Sequence, residues 1–191
     1  MDPEGDAVTR AMRVAARTGF LRARERPHAD RDEPLPIGWG GTNSQPSTVA
    51  AMLRLLDARP GDRVLDVGAG SGWTTAILAA LVGPQGQVIG VELEPRLVEF
   101  ARANLERYGA PNARIHQAHA DVFGWPDAAP YDRILVSAMA DEVPAQLLDQ
   151  LTGTGVMVVP VAGQMTVVRR TDDGVVLSRH GAYRFVPLRR S

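Results

Sequence analysis

The chain has 191 residues, with no cysteine and no lysine, so each of its 21 strongly basic side chains is an arginine. Without cysteine there is no disulfide, no thiolate nucleophile and no cysteine metal site. Without lysine there is no Walker lysine, no Schiff base and no Ser-Lys dyad. Apolar runs are short. None approaches the roughly 18 residues of a membrane helix, and no secretory leader is expected. The start is acidic and polar, which leads to the expectation of a cytoplasmic protein with no membrane partner. A net charge of -1 gives no support for nucleic acid as the main partner, and none is expected. His116 and His119 lie close in sequence, but no second cluster of acids or histidines gives metal-ligand spacing, so no metal is expected. The length implies one domain over 1–191, opening with a helix and loop in 1–33. A monomer is expected.

What the chain does have is a glycine turn, in Val64-Leu-Asp-Val-Gly-Ala-Gly-Ser-Gly-Trp73. Residues 64–67 read as a short buried strand. Gly68, Gly70 and Gly72, with Ala69 and Ser71 between them, form a turn whose backbone a ligand can approach closely. A helix follows at once, with Ile77, Leu78 and Leu81 on one face. Any tight strand-to-helix turn can use glycine, so the run alone leaves a bland reading open. Glu92 sharpens it. This acid ends the next apolar run, about 20 residues on, where a βαβ unit brings a carboxylate to the ribose hydroxyls of an adenosine-type cofactor. Leu93 stands beside it. Dinucleotide binders favour G-x-G-x-x-G, with a pyrophosphate on the helix N-terminus. Here the order is Gly68-x-Gly70-x-Gly72, preceded by Asp66. An acid at that point suits a ligand carrying positive charge, and S-adenosyl-L-methionine is such a ligand. The D-x-G-x-G-x-G run resembles motif I of the Rossmann-like methyltransferases. That resemblance implies an α/β fold: a doubly wound, mostly parallel sheet with helices on both faces.

In chain order, residues 7–22 read as a helix, with Val8, Ala11, Met12, Ala15 and Phe20 on one side. Arg10, Arg13 and Arg17 share another face, open to solvent or to an anionic partner. Residues 23–34 read as a loop. The segment Pro34-Leu-Pro-Ile-Gly-Trp-Gly-Gly-Thr-Asn-Ser-Gln-Pro46 reads as irregular, either a functional loop or a rigid lead-in to the helix that Pro46 begins. That helix runs to about Ala58. Glu94 caps a helix from Pro95 to about Tyr108. Residues 113–119 form a third strand, and Asp121 and Val122 follow where they can meet an adenine. Residues 131–137 form a fourth strand, with Ser137 and Ala138 opening onto the same edge as the glycine turn. Residues 143–151 read as a helix. Strands over 154–161, 164–170 and 175–185 lack helices between them, which predicts an antiparallel C-terminal edge.

With these pieces placed, the chain resembles the protein-L-isoaspartate O-methyltransferases from about Pro34 to Leu188. The loop Pro34-Leu-Pro-Ile-Gly with Gly41-Thr-Asn-Ser-Gln-Pro46 looks like the family's loop before motif I. Gly124-Trp-Pro126 with Ala129-Pro-Tyr-Asp132 matches the second motif, Val158-Val-Pro-Val161 the third, and Arg184-Phe-Val-Pro-Leu188 the C-terminal segment. Gly41 stands where the family usually has Gln, and His119-Ala-Asp121 where it commonly has Gly-Asp-Gly. The resemblance implies methylation of the free carboxylate of L-isoaspartyl residues in proteins or peptides, with later repair through a succinimide. It implies S-adenosyl-L-methionine as cofactor, and Ser44 and Thr42 as the active-site hydroxyls. Asn43, Ser137, Ala138, Val186, Pro187 and Leu188 would enclose the peptide. Local capping before Pro46 is the competing role for Ser44. Two other functions remain open: a related enzyme that methylates Asp in one dedicated peptide, and a non-enzymatic scaffold that binds the cofactor.

Overall fold

The computed structural model describes residues 5–189. Seven strands form one sheet. In chain order these are β3 (Arg63–Val67), β4 (Gln87–Glu92), β5 (Ala113–Gln117), β6 (Tyr131–Val136), β7 (Leu151–Val161), β8 (Gln164–Thr171) and β9 (Gly174–Ala182). Their order across the sheet is β5-β4-β3-β6-β7-β8-β9. The first five are parallel to one another, while β8 and β9 return antiparallel. The expected fold class therefore stands, including the antiparallel C-terminal edge. Strand order reverses between β3 and β6, the place where open α/β sheets bind ligands. The helices are α1 (Ala7–Val14), α2 (Pro46–Leu56), α3 (Trp73–Val82), α4 (Pro95–Tyr108) and α5 (Ala145–Leu148). Among the described residues no helix is long and apolar enough to cross a membrane.

Side chains alternate across β3, as the period of a strand requires. Val64 enters the cluster formed with α1 to α4. Leu65 and Val67 enter the opposite cluster, with Ile134, Met157 and Leu147 of α5. Asp66 therefore faces the helical side, where α3 supplies its partners.

Four expectations are corrected. The helix expected over 7–22 ends at Val14, and a separate 3-10 turn spans Arg17–Phe20. Ala15 breaks it, because its carbonyl accepts the Trp73 indole N–H at 2.8 Å. The basic face dissolves with it: Arg17 is only 6% exposed, while Arg10 and Arg13 stay on the surface. Within the expected 23–34 loop, Ala23–His28 forms a 3-10 helix. The segment expected to be irregular folds as an antiparallel hairpin of β1 (Leu35–Gly38) and β2 (Gly41–Asn43). Trp39 and Gly40 make its turn, both at positive φ (49° and 77°), as two-residue hairpin turns require. The helix expected over 143–151 shrinks to α5. Gln150 turns inward instead, accepting from the Trp125 backbone at 2.9 Å and donating to the Phe123 carbonyl at 2.8 Å.

Candidate active site

The carboxyl ends of β3, β4 and β6 meet at one edge. Glu92 extends one residue past the Val67–Val91 pair, and Ser137 follows Val136, which pairs with Val67 on the other side. Gly68, Gly70 and Gly72 all have positive φ (82°, 55° and 81°), which glycine adopts without strain. Two of them are also close-packed. A Cβ on Gly72 would lie 3.3 Å from the Ala101 carbonyl of α4. One on Gly70 would lie 3.3 Å from Ile37 and 3.9 Å from the Thr42 carbonyl. The β1–β2 hairpin is thus laid over the glycine turn.

Asp66 is fully buried, and its Oδ2 accepts from the Thr74 and Thr75 hydroxyls, each at 2.7 Å. Its Oδ1 is buried with no protein partner among the described residues. Burial pushes the carboxyl up to about 6, the two hydroxyls pull it down, and the Glu92 charge adds to the rise. A buried acceptor with an unmet lone pair beside a side-chain-free turn fits a cationic ligand. Glu92 is half-buried. Its Oε2 accepts from Gly70 N–H at 2.8 Å, and its Oε1 from Leu93 and Glu94 N–H at 2.7 and 3.0 Å. Three of the roughly four lone-pair directions are taken by backbone, so Glu92 also shapes the turn. Glu94 caps α4 as expected, accepting from Arg96 N–H.

A small cleft continues from Val67 and Gly68 past Leu93 to His119, Val122 and Leu188. Asp121 lies on an exposed bend beside it. Arg189 lines that cleft, and so does His119, weighed in the sequence only as a metal ligand and as a departure from the family's Gly-Asp-Gly. Its ring stacks on Trp125 at 4.5 Å, Trp125 also stacks on His116 at 4.3 Å, and His119 Nε2 is buried without a hydrogen bond. A larger hollow of about 600 Å³ lies between α4 and β5 beside Leu105 and Pro111. None of the turn glycines lines it, whereas Gly68 lines the smaller cleft, which is therefore the candidate site.

The substrate-side residues separate into three groups. Thr42 is exposed and Ser44 half-buried, at the end of the hairpin. Ser44 does not cap α2: Asp32 does, accepting from Ser47 N–H at 2.8 Å and from the Gln45 amide at 2.9 Å. Across the edge, Met139 N–H donates to the Val186 carbonyl and Leu188 N–H to the Met139 carbonyl, at 2.7 and 2.6 Å. Val186, Pro187 and Leu188 are thereby joined to the segment carrying Ser137 and the buried Ala138. Asn43 departs from its expected role. It is 4% exposed, and its amide contacts Arg17 and Ser71 and not the surface. Arg17 itself was legible only as a surface base. Its acceptors are backbone carbonyls 12 to 27 residues away and the Asn43 side chain, and no local pattern announces them.

The model of the protein-L-isoaspartate(D-aspartate) O-methyltransferase family matches residues 3–191. A protein-L-isoaspartate O-methyltransferase of Methanopyrus kandleri is 46% identical over 95% of this chain and 82% of its own length. One from Pyrococcus horikoshii is 40% identical over 97% and 86%. A solved protein-L-isoaspartate O-methyltransferase superposes with a TM-score of 0.87 at 28% identity, over 96% of this chain and 61% of that one. A Plasmodium falciparum structure, described as a beta-aspartate methyltransferase in complex with S-adenosyl-L-homocysteine, gives 0.86 at 26% identity, over 100% and 93%. The chain that builds this glycine turn, buried acid and overlying hairpin belongs to the protein-L-isoaspartate(D-aspartate) O-methyltransferase family.

Proposed function

We propose that this chain transfers the methyl group of S-adenosyl-L-methionine to the free α-carboxylate of L-isoaspartyl residues in proteins or peptides. The observation that carries this reading is the seating of the Thr42–Ser44 end of the hairpin over the glycine turn, with Ser44 released from capping by Asp32. The cofactor supplies an electrophilic methyl group. Asp66, the 68–72 turn, Glu92, Leu93 and Val122 would hold it, with Asp121 at the rim.

The protein's own part is mostly positioning. A carboxylate with an ordinary pKa near 4 is already ionised at neutral pH, so no base is needed to create the nucleophile. Ser44 donates a hydrogen bond that aligns this carboxylate, and Thr42 closes the same side. Ser137, Ala138 and the 186–188 segment wall the opposite side. An isoaspartyl linkage adds a methylene to the main chain and leaves the α-carboxylate as the branch. A normal aspartyl residue therefore presents its carboxylate out of line. Misplacement by about 1 Å can cost on the order of 100-fold in rate. The methyl ester that forms closes to a succinimide without further help, and hydrolysis returns some normal aspartate.

The test is a methyl-transfer assay on two peptides that differ only in this linkage. Transfer to the isoaspartyl peptide and almost none to its aspartyl twin is expected. Ser44→Ala should slow transfer and leave the affinity for S-adenosyl-L-homocysteine nearly unchanged. Equal rates on the two peptides, or activity confined to one dedicated aspartyl peptide, would overturn the isoaspartyl assignment.

A further inference from the structure

Arg17 lies 6% exposed, Asn43 4%, Ser71 2% and Asn104 1%, so a continuous polar chain runs through the interior. Arg17 Nε donates to Asn43 Oδ1 at 2.7 Å, and Asn43 Nδ2 donates to Ser71 Oγ at 3.0 Å. Asn104 Nδ2 of α4 donates to the Ser71 carbonyl at 2.8 Å. The remaining guanidinium N–H groups donate to the carbonyls of Ala29, Arg31, Glu33, Asn43 and Ser44. The direction of the chain follows from chemistry. A guanidinium can only donate, so Asn43 must offer it the amide oxygen. The amide nitrogen then faces Ser71, whose oxygen accepts and whose proton is left to be donated onward. No protein acceptor for that proton is found among the described residues.

One end of this chain is the substrate side: Asn43 closes β2, and Arg17 also holds the carbonyl of Ser44. The other end is the middle of the glycine turn, which the cofactor reading places against the ligand. We propose that Asn43, fixed by Arg17, is a positioning residue that couples the two halves of the site, so that occupation of the glycine turn orders the hairpin that carries Thr42 and Ser44. The coupling rests on the cofactor assignment above, not on the identity of the peptide. An acceptor on the bound ligand would take the free Ser71 proton and complete the chain. Bonds in such a series strengthen one another, so the Asn43 link tightens when the last acceptor arrives. By reciprocity, a peptide that seats the hairpin tightens cofactor binding by the same factor.

The test reads the hairpin directly. Amide hydrogen exchange of residues 35–44 is followed with and without saturating S-adenosyl-L-homocysteine. In the wild type the ligand should slow exchange there at least about 5-fold, the low end of ordinary coupling. Ser71→Ala removes the junction and leaves Arg17 fully bonded. Asn43→Asp keeps an acceptor for Arg17 but has no N–H for Ser71. Both variants should fold with a lower melting temperature, since Ser71→Ala leaves the buried Asn43 N–H unpaired. With ligand raised to saturate each variant, both should lose the slowing in the hairpin. A merely structural network would lower the melting temperature in the same way and leave the ligand response of the hairpin intact. Slowing in either folded variant equal to wild type, or none in the wild type, overturns the proposal. If the wild type fails to bind the ligand at all, the cofactor assignment and this coupling fall together. If the hairpin responds but neither peptide is methylated, only the substrate assignment falls.

Discussion

Asp66 shows how much one side chain can carry, and where sequence stops. Its place before the glycines was readable, and so was its suitability for a cationic ligand. Its cost was not. Burial raises its pKa from 3.8 to about 6. Between those pH values the folded protein binds more protons than the unfolded chain, so the slope of stability with pH is negative. The protonated acid favours the fold most below about pH 4. That advantage is lost as pH rises through about 6, a total of about 3 kcal/mol for a fully buried group. A cationic ligand works in the opposite direction, since it needs the ionised form. Binding of S-adenosyl-L-methionine, whose ammonium and sulfonium are both positive, measured by calorimetry without peptide, should therefore be roughly tenfold weaker at pH 5 than at pH 7.5. Asp66→Asn should weaken binding at pH 7.5 and flatten this dependence. A flat wild-type profile would remove Asp66 from contact with the ligand charge. Asn43 and Arg17 make the opposite case. Each is an ordinary polar letter locally, and each is defined by partners at a sequence distance of 12 or more. Such partners leave no trace in periodicity.

Elements were legible where a local signal was strong. Pro46 begins α2, Pro95 begins α4 after the Glu94 cap, and Gly109 ends α4 in the left-handed region. They were lost where a distant side chain competes for a backbone group. The first helix stops because Trp73 takes the Ala15 carbonyl, and α5 is short because Gln150 turns in to serve the 123–125 loop. The hairpin was hidden by its own prolines and glycines, which read as punctuation yet place φ > 0 at its turn. Gly90 in β4 illustrates a requirement that only packing exposes. It pairs with Asp66, and a Cβ there would lie 2.5 Å from Ile115 Cδ1, 3.0 Å from Thr75 Oγ1 and 3.2 Å from Ala69 Cβ. The Ile115 tip can move aside. Thr75 cannot do so without loosening its bond to Asp66. Gly90→Ala is thus expected to cost about 1–3 kcal/mol from overpacking. It should also weaken S-adenosyl-L-homocysteine binding, because Ala69 belongs to the glycine turn. Thermal melting with a titration on the same preparation checks both, and a wild-type result in each would show that the strand has slack at that point.

At the scale of the whole molecule, the site is where the sheet changes direction and where its two faces meet. Asp66 looks toward the helical face with Thr74 and Thr75, whereas Val67 and Val91 belong to the opposite core. The hairpin reaches the glycine turn from before β3, and the 186–188 segment reaches it from beyond β9. A ligand seated there would touch segments from near both ends of the chain as well as the middle of the sheet, and global unfolding would have to release it. Binding to the folded state alone adds about 2.7 kcal/mol at a ligand concentration 100 times its dissociation constant. For a chain of 150–250 residues each kcal/mol moves the melting temperature by about 2–4 °C. S-adenosyl-L-homocysteine at that ratio should therefore raise the melting temperature by about 5–11 °C. NADH at the same concentration should leave it unchanged, because a pyrophosphate would be brought against Asp66 and Glu92. Glu92→Ala should shrink the rise, since it removes both an acceptor for the ligand and the anchor of Gly70. Equal shifts from the two ligands, or a shift from NADH alone, would mean that the turn binds a dinucleotide and that the acid before it plays no part in choosing the ligand.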